Sequence, residues 1–301
     1  MHITDILPAA SPTLSFEFFP PRTAEAAGEL EGALEQLAAW QPAFVSVTYG
    51  AGGTTRDRTQ ALVAKLRQNP AFAAIPHLTC VRHTEAEMMS LLEGYAAAGV
   101  SNLLALRGDL PTGAGPSPEG DFPHAADLVR FIRRFNERGS HPDPRGFGIG
   151  VAGFPEGHPA TPNRMLEMDH LKAKIDAGAD YICTQVFFDN HDFHDFRERC
   201  DLAGIRVPII AGILPLSHPA SLRRMAGLAG GSHYPARLQR AFQRAGEDAE
   251  AFRRVGIHHA TTQCADLLDH GVAGIHFYTL NRAEPTMAVL SDLGLAPGRG
   301  W

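Results

Sequence analysis

Apolar and β-branched residues fall into eight short runs along the chain: 14–19, 43–49, 75–81, 101–107, 147–153, 180–187, 207–213 and 273–279. The runs are near-continuous rather than alternating, the pattern of parallel strands covered on both faces. Between them, apolar positions recur at helical spacing. Leu30, Leu34 and Leu37 mark one stripe. Met88, Leu91, Leu92 and Tyr95 mark a second, opened by a Thr84-x-x-Glu87 capping box. Leu128, Phe131, Ile132 and Phe135 mark a third. Thr161-Pro162 reads as the N-cap and first turn of a helix that carries Met168, Leu171 and Ile175. Gly99, Gly178 and Gly204 each follow a helical stretch, where a left-handed stop is common.

Eight strands, each followed by a helix and with no break in composition, predict an α/β fold, a (β/α)8 TIM barrel over 1–301. A doubly wound sheet is the competing architecture. The connection 214–272 is long enough to hold extra helices before the last strand. The segment 108–124 is rich in Gly and Pro and reads as a long functional loop.

Composition narrows the class. The chain has 301 residues, 44% hydrophobic and 20% charged, an ordinary globular balance. With 27 Lys+Arg against 33 Asp+Glu the net charge is −6, and no basic block points to nucleic acid. An anionic ligand is still compatible, held by local Arg, His and helix N-termini. No apolar run reaches the roughly 18 residues of a membrane helix, and the N-terminus lacks a signal-peptide pattern. Cys80, Cys183, Cys200 and Cys264 are widely spaced and read as reduced thiols of a cytoplasmic protein.

In such a barrel the active site lies at the C-terminal ends of the strands. The polar residues there are Glu17, Thr48, Tyr49, Thr79, Arg82, Arg107, Asp109, Glu156, His158, Gln185, Tyr278, Asn281 and Arg282, with Phe154 among them. His77 lies within its strand, pointing inward or outward. Glu17 stands out because three phenylalanines surround it in Leu14-Ser-Phe-Glu-Phe-Phe-Pro-Pro-Arg22. An acid buried among aromatic rings should have a raised pKa and could serve as a general acid. The competing reading is a strand-end carboxylate facing water or paired with Arg22.

Other motifs carry less. Gly148-x-Gly150-x-x-Gly153 fits a dinucleotide fingerprint on paper, but its glycines lie inside a strand-like run, where they suit close packing or ligand approach. His191-x-x-His194 with Asp189, Asp192 and Asp195 could bind metal, yet Asp and Asn at a helix start are ordinary caps. Lys172 and Lys174 read as a solvated helix face, with phosphate contact as the alternative. His258-His259 reads as exposed.

Several segments together resemble the bacterial 5,10-methylenetetrahydrofolate reductases. They are Ser15-Phe-Glu-Phe-Phe-Pro-Pro-Arg22, Phe44-Val-Ser-Val-Thr-Tyr-Gly50, Pro76-His-Leu-Thr-Cys80 and Ala105-Leu-Arg-Gly-Asp-Leu-Pro111. Pro155-Glu-Gly-His-Pro159, Thr184-Gln185, Gly212-Ile-Leu-Pro215 and His276-Phe-Tyr-Thr-Leu-Asn-Arg282 follow in family order. The resemblance implies a (β/α)8 barrel holding FAD non-covalently. NADH or NADPH would reduce the flavin, which would then reduce methylenetetrahydrofolate to 5-methyltetrahydrofolate for methionine synthesis.

It also implies residue roles. Glu17 matches the catalytic acid, and Asp109 a carboxylate near flavin and pterin that also helps bind folate. Gln185 and Arg282 match folate contacts. Thr48, His77, Arg107, Gly108, Asp109, His124, Ala125, Ala152, Phe154, His158, Glu167, His170 and Lys174 match FAD-binding positions. The chain departs from the family pattern around that site. His124 and Phe154 stand where tyrosines are usual, Glu167 where aspartate is, His170 where asparagine is, and Ala173 where arginine is. These changes bear on cofactor affinity rather than on the reaction. The resemblance implies a homo-oligomer, no metal, and no C-terminal regulatory domain. Rival readings are a metal-dependent barrel lyase or hydrolase, and a folate-binding barrel with weakened flavin binding.

Overall fold

In a computed structural model, residues 1–7, 11–50, 56–108, 120–219, 222 and 233–298 are described. Eight parallel strands close into a barrel in sequence order: β1 (Thr13–Phe18), β2 (Phe44–Val47), β3 (Ala74–Thr79), β4 (Asn102–Leu106), β5 (Gly148–Gly153), β6 (Tyr181–Thr184), β7 (Ile209–Ile213) and β8 (Gly274–Tyr278). Closure joins β8 to β1, with Ser15 opposite His276 and Glu17 opposite Tyr278. The doubly wound alternative is thereby excluded.

The helices of the outer ring are α2 (Ala24–Ala38), α3 (Arg56–Arg67), α4 (Glu85–Ala97), α5 (Ala125–Glu137), α6 (Arg164–Asp176) and α7 (Asn190–Leu202). The long connection before β8 contains α8 (Ala236–Ala245) and α9 (Ala249–Asp269), and α10 (Glu284–Asp292) follows β8. The predicted stripes are the buried faces of α2, α4 and α5. Both halves of the Thr84–Glu87 capping box form, and Gly99, Gly178 and Gly204 have φ of 72°, 109° and 73°.

Two local expectations fail. The N-cap of α6 is Asn163, not Thr161; its Oδ1 accepts from the N–H groups of Met165 (3.0 Å) and Leu166 (3.2 Å). An amide oxygen there meets two otherwise unpaired donors, and the helix starts two residues later than Pro162 suggests. His259 is buried, not exposed, and its Nε2 is 3.0 Å from the Phe188 carbonyl. The 21-residue α9 covers the apolar cluster of Val186, Phe188, Leu214, Leu216, Leu238, Phe242 and Phe252, so one of two adjacent histidines must face inward.

The barrel has two apolar regions. Phe16, Phe18, Val45, Val47, Leu78, Leu103 and Ile149 point outward beneath the helices. The lumen holds Phe44, Ile75, Leu104, Tyr181, Cys183 and Ile210, closed at its N-terminal end by a short helix α1 (Ile3–Ile6) through Ile3, Ile6 and Leu7. Nothing in the pattern of the first residues predicts this plug. Asn102 ties it in place, accepting from Ile3 N–H at 2.6 Å and donating to the Met1 carbonyl at 2.9 Å. The glycines of the fingerprint-like run belong to β5: Gly148 and Gly150 make room in the lumen, and Gly153 makes room for Ile182 and Phe196 on the outer face. A Cβ on Gly150 would lie 2.2 Å from the Tyr181 ring, and one on Gly148 2.5 Å from Asn102 Oδ1.

Gly150→Ala should therefore lower stability by about 1–3 kcal/mol through overpacking, measured as a lower urea midpoint. Gly28→Ala in α2, where nothing lies within 4 Å of the added methyl, should be neutral or stabilising by up to about 1 kcal/mol. Equal behaviour of the two variants would contradict this packing of the lumen.

Candidate active site

Side chains alternate across a strand, so Ser15 and Glu17 share one face of β1 while Phe16 and Phe18 share the other. The two phenylalanines, both fully buried, pack outward. Glu17 points inward to Ser46, His77 and His276 and away from the Phe16 and Phe18 rings. Ser46 Oγ donates to Glu17 Oε2 at 3.2 Å. His77 Nε2 lies 3.2 Å from the same oxygen, close enough for Coulomb attraction, although its ring N–H is poorly aligned for a hydrogen bond. His276 Nε2 lies 3.7 Å from it. Arg22 is not among the ion-pair partners found for Glu17 among the described residues.

These contacts reverse the expected protonation. Burial of the largely enclosed Glu17 side chain (16% exposed) pushes its pKa up, but the attraction of the His77 and His276 imidazoles outweighs this and brings it down to about 2. The raised pKa inferred from the neighbouring phenylalanines is thus wrong for the carboxylate held between imidazoles. Adjacency in a strand sequence places rings on the opposite face, where they do not desolvate the acid.

Behind the acid a polar chain continues. His276, 1% exposed, has Nδ1 2.8 Å from Ser15 Oγ and Nε2 3.2 Å from Ser46 Oγ. Its ring stacks on Phe44 with centroids 5.7 Å apart and planes at 20°. The inventory of strand-end residues misses Ser15, Ser46 and His276. They are single polar residues inside apolar runs, each paired across the barrel seam or beside it with Glu17 or its neighbour. That shared register is the signal that could have found them.

A second group lies on the β3–β6 side. His77 is buried and points inward. Lys174 is not on a solvated face. Its stem is partly exposed, but Nζ is enclosed and donates to the Ala152 carbonyl at 2.6 Å. Burial pulls its pKa down to about 8, and the Glu167 carboxylate only partly offsets that. Glu167 is itself buried, its pKa raised by burial against the pull of Arg164 and Arg199. The Lys174 ammonium sits 6.0 Å from the centre of the Phe154 ring, which meets His158 edge-on at 4.7 Å. His124 and His170 are exposed and stack at 6.4 Å, with Ala125 opening α5 beside them. Lys172, by contrast, pairs with Asp176 on the helix surface.

The remaining strand-end residues divide. Gln185 is partly buried at the end of β6, its own Oε1 accepting from Val186 N–H at 2.9 Å. Arg282 is exposed and lines a cavity of about 300 Å³ with Leu214, Pro215, Tyr278 and Leu280. A larger cavity of about 670 Å³ opens at the opposite end of the barrel, near Met1, Trp40 and Phe72, away from this chemistry. Asn281 is structural, exchanging two hydrogen bonds with the Phe19 backbone at 3.0 and 2.9 Å. Tyr49 is engaged with His83, its Oη 3.2 Å from Nε2. Thr48 caps β2, its N–H bonded to the Phe18 carbonyl at 2.9 Å, while Arg82 and Arg107 are exposed. Glu156 accepts from His233 N–H at 2.7 Å. Asp109 lies outside the described residues.

The family model for methylenetetrahydrofolate reductase matches residues 2–294. The chain belongs to the methylenetetrahydrofolate reductase family. The 5,10-methylenetetrahydrofolate reductase of Escherichia coli is 39% identical over 285 residues, covering 95% of this chain and 92% of that one. Methylenetetrahydrofolate reductase (NADH) 1 of Arabidopsis thaliana is 38% identical, covering 93% of this chain and 48% of its own. Among solved structures, an uncharacterized protein from Clostridium thermocellum that binds two copies of 5-methyl-5,6,7,8-tetrahydrofolic acid superposes with a TM-score of 0.67 over 96% of both chains. A 2,3-dimethylmalate lyase superposes with a TM-score of 0.54, covering 99% of this chain and 87% of its own. At 14% and 13% identity these two likenesses carry the barrel fold alone. Among the described residues no helix is long and apolar enough to cross a membrane.

A group whose folded pKa lies below its ordinary value of 4.5 stabilises the fold fully above that value, and this is lost as pH falls through about 2. Acid titration of stability should therefore be steeper between pH 4.5 and 2 in the wild type than in Glu17→Gln. Parallel curves would mean that the imidazoles do not hold the carboxylate in the folded state.

Proposed function

We propose that this protein reduces 5,10-methylenetetrahydrofolate to 5-methyltetrahydrofolate with NADH or NADPH and non-covalent FAD, supplying methyl groups for methionine synthesis. The observation that carries this reading is a carboxylate, Glu17, held between two imidazoles at the catalytic end of a barrel of this family. Opening the five-membered ring of the substrate requires a proton at the departing nitrogen, and Glu17, at the mouth among groups that hold protons, is placed to pass one on.

The residues around β3–β6 fit a flavin nucleotide. An enclosed ammonium that donates to a carbonyl and whose destabilisation by burial Glu167 only partly offsets is suited to a diphosphate. Thr79 Oγ1 and Glu167 Oε2 are buried without hydrogen-bond partners and suit hydroxyl-bearing parts of a ligand. Gly108, at φ +83°, already presses on Thr79, where a Cβ would lie 2.9 Å from the threonine Cβ. Its bare backbone permits close approach. When bound, FAD supplies the redox chemistry between nicotinamide and folate. Lys174, His77, Arg107, Thr48, Gly108, Ala152, Phe154, His158, Glu167, His124, Ala125 and His170 are the positions that would hold it. Phe154 packs against a ring without donating a hydrogen bond. Arg282 offers charge to the anionic folate tail, Gln185 a carboxamide to the pterin or nicotinamide, and Asp109 a second carboxylate. A cytoplasmic homo-oligomer belongs to the same reading, on the strength of the family resemblance.

The metal-dependent alternative needs ligands at the strand ends. Among the described residues, the cluster with metal-like spacing is His194, Asp266 and His270, on the outer helices. There His194 Nε2 already pairs with Asp266 Oδ2 at 2.9 Å, and Asp189 caps α7 as an ordinary N-cap.

The purified protein should be yellow, or become so with FAD, be bleached by NADH or NADPH without oxygen, and be recoloured by methylenetetrahydrofolate. In Glu17→Gln, bleaching should persist while recolouring slows at least about 100-fold, within the usual range for a general acid. A protein that stays colourless with FAD overturns the reading, and equal loss of both steps removes Glu17 as the proton donor. Lys174→Met should weaken FAD binding at least about tenfold, as expected for a lost charge-assisted contact, without lowering the melting temperature of the flavin-free protein. An unchanged FAD affinity would place the diphosphate elsewhere.

A further inference from the structure

A carboxylate paired with imidazoles does not itself carry the proton that folate reduction consumes, so a group behind Glu17 must hold it. From Glu17 Oε2 the Ser46 hydroxyl is 3.2 Å away, and the same hydroxyl is 3.2 Å from His276 Nε2. His276 Nδ1 is 2.8 Å from Ser15 Oγ, which in turn lies 3.4 Å from the Ile275 carbonyl. The line of atoms is continuous, buried and ends on a backbone acceptor.

This line accepts an imidazolium with no donor left over. Nδ1–H donates to Ser15, whose own proton goes to the Ile275 carbonyl. Nε2–H donates to Ser46, whose own proton goes to Glu17. The Phe44 face lies against the ring, an arrangement that favours a cation. Tyr278 meets the ring edge-on at 5.4 Å and blocks its rotation.

We propose that His276 stores the proton that Glu17 delivers, with Ser46 as the relay and Ser15 as the residue that holds the imidazole in line. The inference rests on the reading of Glu17 as the proton donor in folate reduction. In the transfer, the His276 Nε2–H bond breaks as Ser46 Oγ takes that proton. The original Ser46 proton moves to Glu17 Oε2. The carboxyl then protonates the departing folate nitrogen, leaving a carboxylate and a neutral imidazole, with no change in electron count. Solvent returns one proton through the open mouth along the same groups in reverse.

The groups facing Glu17 are Ser46 from β2, His77 from β3, Cys183 from β6, and His276 and Tyr278 from β8. Burial drives Cys183 and Tyr278 far above neutrality, so the two imidazoles are the rivals for the proton. His77 is the nearer ring, but its N–H misses the carboxylate and it lies on the side of the cofactor residues. His276 is the ring with both nitrogens matched.

Nitrogen-15 NMR of histidine-labelled protein, with and without FAD, tests the storage directly. The His276 signals are assigned by their loss in His276→Gln. In the wild type at pH 7 both ring nitrogens should be protonated, and in Glu17→Gln the ring should be neutral. A neutral His276 in the wild type overturns the proposal whatever the enzyme does. Stopped-flow measurements on the FAD-loaded protein follow the two half-reactions. In His276→Gln and Ser46→Ala, flavin reduction should stay within about threefold of wild type, while folate reduction slows at least about tenfold. The alkaline fall of the folate rate should disappear in His276→Gln. Ser46→Ala, a small change that leaves the ring in place, carries the kinetic test if His276→Gln fails to fold. Unchanged folate rates, equal slowing of both half-reactions, or loss of the alkaline limb in His77→Gln instead of His276→Gln overturn the proposal. A wild type that binds FAD but reduces no folate overturns the parent reading, and the NMR result then judges His276 separately.

Discussion

A closed sheet of parallel strands has no edge and two very different faces, and the molecule depends on that division. Every strand sends alternate side chains under the helices and into the lumen. The outward set is predominantly apolar, because helices cover it. The lumen is layered: an apolar floor from Phe44, Ile75, Leu104, Tyr181 and Ile210, sealed by Ile3 and Ile6, and above it a polar layer from Ser15, Glu17, Ser46, His77 and His276. Gly148 and Gly150 widen the floor for Asn102 and Tyr181. A side chain at either position would crowd the plug or the Tyr181 ring.

The polar layer is costly to desolvate unless its groups satisfy one another. Ser15, His276, Ser46 and Glu17 do so in one chain of contacts, and His77 adds its attraction from 3.2 Å, so an acid sequestered inside the protein is more acidic than in water. The two imidazoles supply more favourable interaction to the carboxylate than burial removes. On the other side of the mouth the balance is reversed. Lys174 is enclosed with insufficient counter-charge, so its ammonium is destabilised. The chain from Ser15 to Glu17 is internally satisfied, and the Lys174 side is left wanting an anion. That asymmetry separates proton handling from cofactor holding within one opening.

Much of the fold was legible in the order of residues. Eight apolar runs became eight strands, with ends shifted by a few positions. The run 180–187 overshoots most, past the end of β6 at Thr184, since Val186 and Phe187 are buried but not in the sheet. The Thr84 cap, the glycine stops and the helices before β8 were readable because each rests on contacts within a few residues. The site was half legible. Glu17, His77, Lys174 and Phe154 could be named, but the neighbours that set their chemistry could not. Glu17 looked desolvated by phenylalanines because the sequence shows proximity along the chain, whereas strand geometry turns those rings away. Lys174 looked solvated because its helix faces water elsewhere, at Lys172 and Asp176.

What the sequence alone determined is therefore local and periodic: which segments are strands or helices, that the strands are parallel and enclosed, and which family the motifs resemble. Only the tertiary structure decided which polar side chains meet. Ser15 and His276 are 261 residues apart, and Ser46 and His276 230 apart. Their contacts exist because closure of the barrel brings β8 against β1 in one register. A shift of one residue would turn every one of these side chains to the opposite face, so the chemistry of Glu17 is a property of the closed sheet.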